Sequence, residues 1–383
     1  MPTATATSTT LAPPPLTPHQ QFLTRRHFTS LDGLRCFAIL TVLWHHAFRP
    51  EFLNAQLLTR GFLGVDLFFI LSGFLITTLL IRERAIHQSI SLRAFYARRS
   101  LRIFPIYYLS LIALTLLFAL GFSSPHHQTT FFQQLPLYLT YTSNWSDTHA
   151  LNLAPLWSLA TEEQFYLFWP LVERFAKPTI RFLFYAFALC LSQAINFQLI
   201  YPFFSPDLAA HLQSLEIMQS TFTPILLGVG LAYLLHHKPT FNKLYKPLAH
   251  IAALPCLVLT LILLIHFTPA NILGLPRLLI QLNFSLILAA IILNPKHFAH
   301  TLLNLKPITH IGLISYGMYL YHMWVLALQR QLLTPHISPE NQAYFDFLLG
   351  TLLTIIAATL SFKLIESPLL KLKKHFTRIP PPK

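Results

Sequence analysis

The sequence predicts an all-α protein: a polytopic transmembrane helical bundle of about ten helices with both termini in the cytoplasm. Hydrophobic residues make up 54% of the 383-residue chain and charged residues only 10%, against about a quarter charged in a soluble domain. So little charge cannot clothe a surface in water, but it suits one in lipid, where helices satisfy their own backbone groups. The apolar residues recur in runs of roughly 20, the length that crosses a bilayer. Basic residues gather at the ends of those runs, in alternate connections, which puts them on one side of the membrane.

Taken in order, the chain opens with a Thr/Ala/Pro-rich stretch. It lacks an early basic region followed by an apolar core, so residues 1–27 read as a disordered cytoplasmic tail rather than a secretory signal. Ten apolar segments follow, near 31–50, 62–81, 103–121, 155–176, 180–200, 216–235, 248–267, 274–294, 309–329 and 343–364. Membrane strands would alternate in polarity over about ten residues; these runs are longer and uniformly apolar, so they predict helices. The bundle is expected over 28–370, followed by a basic cytoplasmic tail, 371–383.

With the N-terminus inside, 23 of the 27 Lys and Arg residues fall on the cytoplasmic side, and only Arg49, Arg60, Arg277 and Arg330 fall outside it. An odd number of spans would break that alternation. The longest outer segment, 122–154, has no Lys or Arg; it is expected to lie on the membrane surface or cover a site. There is no internal repeat, and the paired broken helices typical of transporters are absent.

The net charge of +14 would suggest nucleic acid in a soluble protein. Here it reads as topology, so the bilayer is an expected partner and nucleic acid is not. Cys36, Cys190 and Cys256 each lie inside an apolar run; they read as small core residues rather than disulfides or a zinc site. No metal is expected, because adjacent His45 and His46 point about 100° apart on a helix and no His-Glu-x-x-His pattern occurs. His126-His127 and His236-His237 fall in loops and are expected to be solvated.

Ionisable residues inside membrane helices are costly and mark function. They form two expected layers. The inner layer is basic: Arg35 begins the first span, and Arg99 and Arg102 begin the third on one helix face. Their guanidinium forks match phosphate oxygens; the competing reading is anchoring, with side chains reaching the headgroups. The outer layer is mixed: His45 and His46 close the first span and Asp66 opens the second. Glu162 and Glu163 lie early in the fourth, and Tyr319 and His322 in the ninth. A histidine near a carboxylate is a general-base pair; a lone buried histidine is more simply satisfied by a neighbouring backbone or hydroxyl group.

These motifs, in order, resemble the acyltransferase-3 family of integral membrane acyltransferases. They are Leu31-Asp-Gly-Leu-Arg35, with ten residues between Arg35 and His46; Gly64-Val-Asp-Leu-Phe-Phe-Ile-Leu-Ser-Gly-Phe-Leu75; Arg99-x-x-Arg102 running into Ile-Phe-Pro-Ile-Tyr-Tyr108; Trp157-Ser-Leu-Ala-Thr-Glu-Glu-Gln-Phe-Tyr166; Ser315-Tyr-Gly-Met-Tyr-Leu-Tyr-His322; and Glu366-Ser-Pro368. Cys36 stands where the family more often has glycine. The resemblance implies transfer of an acyl group, commonly acetyl, from cytoplasmic acyl-CoA to a sugar hydroxyl of a carbohydrate or glycoconjugate. It implies a catalytic role for His46 and functional roles for Arg35, Arg99 and Arg102. It also implies a home in the cell (inner, cytoplasmic) membrane, with acetyl-CoA as cosubstrate rather than a resident cofactor.

Arg35 and His46 lie 11 residues apart, so a helix separates them by roughly 16 Å, about half the hydrocarbon thickness. The expected mechanism puts phosphates at the arginines and places His46 as general base on the acceptor hydroxyl, with Asp66, Glu162 or Glu163 orienting it. Ser72, Trp157, Tyr319 and His322 are expected in the substrate pocket, as lining or as donors to the developing oxyanion. An acyl-His46 intermediate is the rival route. A sugar or lipid-linked-sugar transporter or flippase, and a scaffold without chemistry, are the other function classes. The sequence names neither the acceptor nor an oligomeric state.

Overall fold

A computed structural model of the chain describes residues 15–377 except 26, 48–58, 123, 151, 221, 270–271 and 334–335, and not the side chains at 220, 339 and 340. Among the described residues the regular elements are helical and there is no strand. In chain order they are α1 Pro18–Thr24, α2 Ser30–His46, α3 Leu63–His87, α4 Leu92–Ala119, α5 Pro125–Leu139, α6 Leu156–Phe175, α7 Pro178–Asn196, α8 Pro206–Ser214, α9 Glu216–Ser220 and α10 Thr223–His236. There follow α11 Lys238–Leu248, α12 Ala253–Phe267, α13 Leu275–Leu293, α14 His300–Leu303, α15 Lys306–Leu313, α16 Ser315–Leu332, α17 Pro339–Ser361 and α18 Ser367–Lys371.

Each of the ten apolar segments contains a helix. Among the described residues five stretches are long and apolar enough to cross a membrane: α3, α4, α7, α13 and the run Asn341–Phe376. The bent pairs α11–α12 and α15–α16, turning by 80° and 75°, raise the number to seven. The others have physical reasons to fall short. α10 has 14 residues and α2 has 17, while α6 carries Glu162, Glu163, Glu173 and Arg174. The expected segment 309–329 is not one straight helix but breaks between Leu313 and Ser315.

Small residues let helices touch backbone to backbone, the usual packing device in lipid. α3 crosses α10 where Gly73 meets Ile225 and Gly228 meets Ile70; a Cβ on either glycine would lie 2.0 or 2.2 Å from the facing carbonyl oxygen. Gly312 of α15 presses on α2 in the same way, 1.8 Å from the Asp32 carbonyl for a built Cβ. That contact fixes the start of α2, and so places Arg35. Exposed Phe182, Leu183 and Phe187 on α7 and Leu259 and Leu263 on α12 form apolar outer faces, as lipid contact requires. Cys190 and Cys256 lie on these exposed faces and only Cys36 is buried, which corrects the expectation of three core cysteines.

Buried ion pairs brace the bundle. Glu173, wholly buried, takes Arg84 at 2.8 Å and Arg181 at 3.1 Å and accepts from the Tyr233 hydroxyl, joining α6, α3, α7 and α10. Arg60 donates to the carbonyls of Ile265, Thr268 and Pro269, the open C-terminal end of α12.

Part of the tail expected to be disordered is a docked helix. Thr17 caps α1 with a full capping box, Phe22 is 2% exposed, and Arg82 donates to the Phe22 and Arg25 carbonyls. His236 packs against Phe22 rather than standing in water, and His126 and His127 belong to α5 rather than to a loop. Residues 1–14 and 26 of that tail, and 378–383 of the C-terminal tail, lie outside the described residues. Within residues 122–154, α5 leads to a short turn, Ser143–Trp145, pinned to α6 by Asn144, which donates to Thr161 and Gln164 at 3.1 Å each.

Candidate active site

A cavity of about 430 Å³ opens between α2, α3, α4, α6 and the α15–α16 break. Arg35, Arg99, Arg102, Ser72, Glu162, Glu163 and Tyr319 all line it, so much of the predicted site converges. The reason is helical register. Phe68, Ser72, Leu75, Leu79 and Arg82 recur at steps of three and four on α3 and give it one cavity-facing stripe. Arg99 and Arg102 are three apart on α4, and Tyr166 lies four and three residues after the adjacent Glu162 and Glu163 on α6.

The charges are not equally partnered. Arg35 pairs with Asp32 one turn earlier. Arg99 lies over the Tyr166 ring at 5.0 Å and the Phe95 ring at 5.9 Å, a cation–π arrangement. Neither Arg99 nor Arg102 forms an ion pair among the described residues. Asp32, Glu162 and Glu163 share the lining with these cations, and two arginines that make no salt bridge there still suit an anion. The planar guanidinium suits phosphate above all.

The two glutamates belong to this arginine cavity, not to a separate outer layer beside His46. Glu162 accepts from Ser72 at 2.6 Å, and Ser72 accepts from the Tyr166 hydroxyl at 3.0 Å. At the far end of the lining, Tyr319 and Ser158 hydroxyls lie 2.6 Å apart, each also within 3.0 Å of the Pro155 carbonyl. Two hydroxyl protons serve three contacts, so one contact always lacks a donor.

His46 sits beyond that end rather than on the lining. Its Nδ1 donates to the Val42 carbonyl at 3.0 Å, and its own carbonyl accepts from Arg330 at 2.7 Å. His322 links it to the cavity: its ring centre is 5.0 Å from that of His46 and 5.5 Å from that of Tyr319. His45 turns away, its Nδ1 donating to the Thr59 carbonyl. Trp157 stands one layer behind the cavity, edge-on to Phe69. Asp66 is buried elsewhere, accepting from Arg277 at 3.2 Å and Gln281 at 3.0 Å. The expectation that Asp66 orients His46 gives way to that pairing, because a carboxylate buried beside a guanidinium is neutralised there.

Sequence reasoning missed Asp32, Ser158 and Tyr166 as cavity residues. Asp32 had a readable signal, an acid three residues before Arg35 on a helix. Ser158 and Tyr166 had none beyond lying in a polar stretch of an apolar helix.

Fold and site together define a helical, multi-pass membrane protein built round a polar cavity. The chain belongs to the acyltransferase domain family, whose sequence model matches residues 28–363. It is 29% identical to the peptidoglycan O-acetyltransferase OatA of Listeria monocytogenes over 91% of this chain and 56% of the relative. It is 31% identical to the putative peptidoglycan O-acetyltransferase YrhL of Bacillus subtilis over 90% and 55%. The O-acetyltransferase OatA of Staphylococcus aureus (strain NCTC 8325) is 31% identical over 90% and 58%. The chain thus spans little more than half the length of these relatives. No solved structure matches it.

Proposed function

We propose that this protein is a membrane O-acyltransferase that moves an acyl group, acetyl in the first instance, from cytoplasmic acyl-CoA to a carbohydrate hydroxyl. The observation that carries this reading is the convergence of Arg35, Arg99 and Arg102 on one cavity, where Arg99 and Arg102 make no salt bridge among the described residues. Two of the relatives are named as peptidoglycan O-acetyltransferases, one of them putatively, and those names support peptidoglycan as the acceptor. The proposal includes ten spans, both termini on the cytoplasmic side and a place in the cell membrane, supported by the distribution of Lys and Arg.

In this reading the three arginines hold phosphate oxygens at the inner end of the cavity, and the apolar stripe of α3 guides the thioester arm outward. His46 removes the acceptor proton. The acceptor oxygen attacks the thioester carbonyl, the carbon–sulfur bond breaks, and the proton ends on the departing thiol. Tyr319 or Ser158, whichever hydroxyl is not engaged by Pro155, donates to the oxyanion. Glu162 fixes Ser72 and Tyr166, and through Tyr166 the plane on which Arg99 lies.

Purified protein in detergent, given acetyl-CoA and an N-acetylglucosamine oligomer, is expected to release free thiol and O-acetylate the sugar. His46→Ala should lower that rate by about 1000-fold, within the range of lost acid–base catalysis. Protein that moves a sugar across vesicles while leaving acetyl-CoA intact would establish a transporter instead.

A further inference from the structure

After α17 the backbone passes through a π-helical turn, Phe362–Glu366, then α18, then a 3₁₀ turn, Leu372–Phe376. A π turn carries an extra residue and so changes the face that the following residues present. The end of the described chain returns over the start of α4, where Arg98 donates to the Phe376 carbonyl at 2.5 Å. Residues three apart eclipse in a 3₁₀ turn, so Lys373 lies on the Phe376 side of it. Burial agrees: Lys373 is half-buried, while Lys371, Leu372, Lys374 and His375 are exposed. Among the described residues the Lys373 ammonium makes no salt bridge or hydrogen bond. The charges that act on it are those of Arg102, Arg99 and Arg98, all positive. Buried Glu83 takes Arg98 at 3.4 Å, but Arg99 and Arg102 make no salt bridge. Glu366, 6% exposed, acts on Arg102 without a salt bridge to it, and its buried Oε1 has no hydrogen-bond partner. Residues 378–383 add no acidic side chain. An ammonium among guanidinium groups is repelled by each of them, and a multiply charged anion relieves that repulsion.

We propose that Lys373 forms a second phosphate subsite, which takes the 3′-phosphate of the acyl-CoA and sets a preference for CoA over its dephosphorylated form. The proposal rests on the acyl-CoA reading above. Size separates the two phosphate positions. The cavity of about 430 Å³ lies low in the range of about 300 to 1,000 Å³ that encloses drug-sized ligands. An acyl-CoA is larger than those. It carries a diphosphate in the chain that leads to the thioester, and a phosphate monoester on the ribose. With the thioester arm in the cavity, the diphosphate meets the arginines on the lining and the ribose phosphate falls beyond it. Lys373 stands off that lining, on the side of Arg99 and Arg102. A compact ammonium serves such a monoester as a point charge, where the diphosphate gains more from the guanidinium fork. The phosphate of a lipid headgroup has the same chemistry, so the two sources are separated by experiment.

The test titrates full-length protein in detergent with CoA and with dephospho-CoA and reads each Kd from the heat of binding. Wild type is expected to bind CoA about tenfold more tightly, the gain of one hydrogen bond to a charged group. Lys373→Ala should erase that preference, weakening CoA by about tenfold and leaving dephospho-CoA within about twofold. Lys373→Arg keeps the charge and should keep most of the preference. Lys374→Ala, at an exposed neighbour, should keep all of it. A preference that survives in Lys373→Ala overturns the subsite. Equal weakening of both ligands does so too, because it marks general charge or packing. In lipid nanodiscs the preference should be the same with phosphatidylcholine as with phosphatidylglycerol. Its loss with phosphatidylglycerol would assign Lys373 to lipid headgroups instead. Wild type that binds neither ligand sinks the acyl-CoA reading and the subsite together. A Lys373-dependent preference in protein that leaves acetyl-CoA intact upholds the subsite and sinks only the transfer reaction.

Discussion

Arg277 and Arg99 carry the same guanidinium in the same bundle, and the protein treats them in opposite ways. Arg277 opens α13, is buried, and is consumed by Asp66 and the Gln219 carbonyl. Arg99 lies on an aromatic face at a cavity, with no ion pair among the described residues. Arg60 and Arg330 follow Arg277, each committed to carbonyls or a carboxylate. The division is not simply outer against inner. Arg84 and Arg181, on the side assigned to the cytoplasm, are held as firmly by buried Glu173. The cavity does not free every arginine on it, since Arg35 pairs with Asp32 and Arg82 donates to the Phe22 and Arg25 carbonyls; among the described residues Arg99 and Arg102 are the cavity arginines held by neither a carboxylate nor a carbonyl. A packed guanidinium needs a fixed acceptor to offset its lost hydration. One on a cavity can stay solvated until an anion arrives.

Disturbing each side of that comparison should give different losses, the largest in stability. Glu173→Ala leaves two buried guanidinium groups without their carboxylate and should destabilise the protein by about 3–5 kcal/mol. Asp66→Ala should do nearly as much through Arg277, and melting curves in detergent will read both. Equal melting of wild type and either variant would break the comparison. Arg99→Ala and Arg102→Ala should instead leave the melting temperature within about 2 °C, a change of under ~1 kcal/mol. Both should raise KM for acetyl-CoA by about 100-fold, the loss expected for a charge-assisted phosphate contact. Arg99→Lys keeps the charge but not the fork, so a rise of about tenfold in KM with kcat unchanged is expected. Comparable loss in Arg60→Lys would mean that the braced arginines also bind substrate.

The smallest effect concerns a neutral brace. His297, in the loop after α13, lies 3.2 Å from the Ser30 hydroxyl, which also accepts from Asn304. Burial, aided by nearby His300, pushes the His297 imidazole down to about 4 from its ordinary 6.5. The unfolded chain then takes up a proton first as pH falls. Stability from this group is complete above pH 6.5, declines between 6.5 and 4, and is flat below. Melting temperature should follow that course in wild type, and His297→Asn should flatten it. An unchanged slope would show that other groups carry the acid sensitivity.

The helices were legible because their signal is local. An apolar run such as 62–81 must bury its backbone in a helix whatever surrounds it, and α3 is found over Leu63–His87. The facing of Arg99 and Arg102 was also legible, since three residues make nearly one turn. The break between Leu313 and Ser315 was not, because both sides are apolar. The docking of α1 was hidden for a similar reason: Phe22 is one aromatic in a polar stretch, and its pocket joins nearby Phe28 to His236 and Phe241 far along the chain.

By itself the sequence determined that this is a helical membrane protein and which of its rare polar residues deserve explanation. Hydropathy and charge act along the chain, and a membrane enforces them without reference to partners. Only the tertiary structure decided what those residues face. It gave Asp66 to Arg277 and Glu162 to Ser72 and the arginine cavity, and it set the His322 ring against that of His46. Each pairing joins helices distant in sequence, and partner choice there follows from helix crossing and register. Those are set at contacts such as Gly73 on Ile225 and Gly312 on Asp32, where the absence of a side chain fixes how closely two helices can lie.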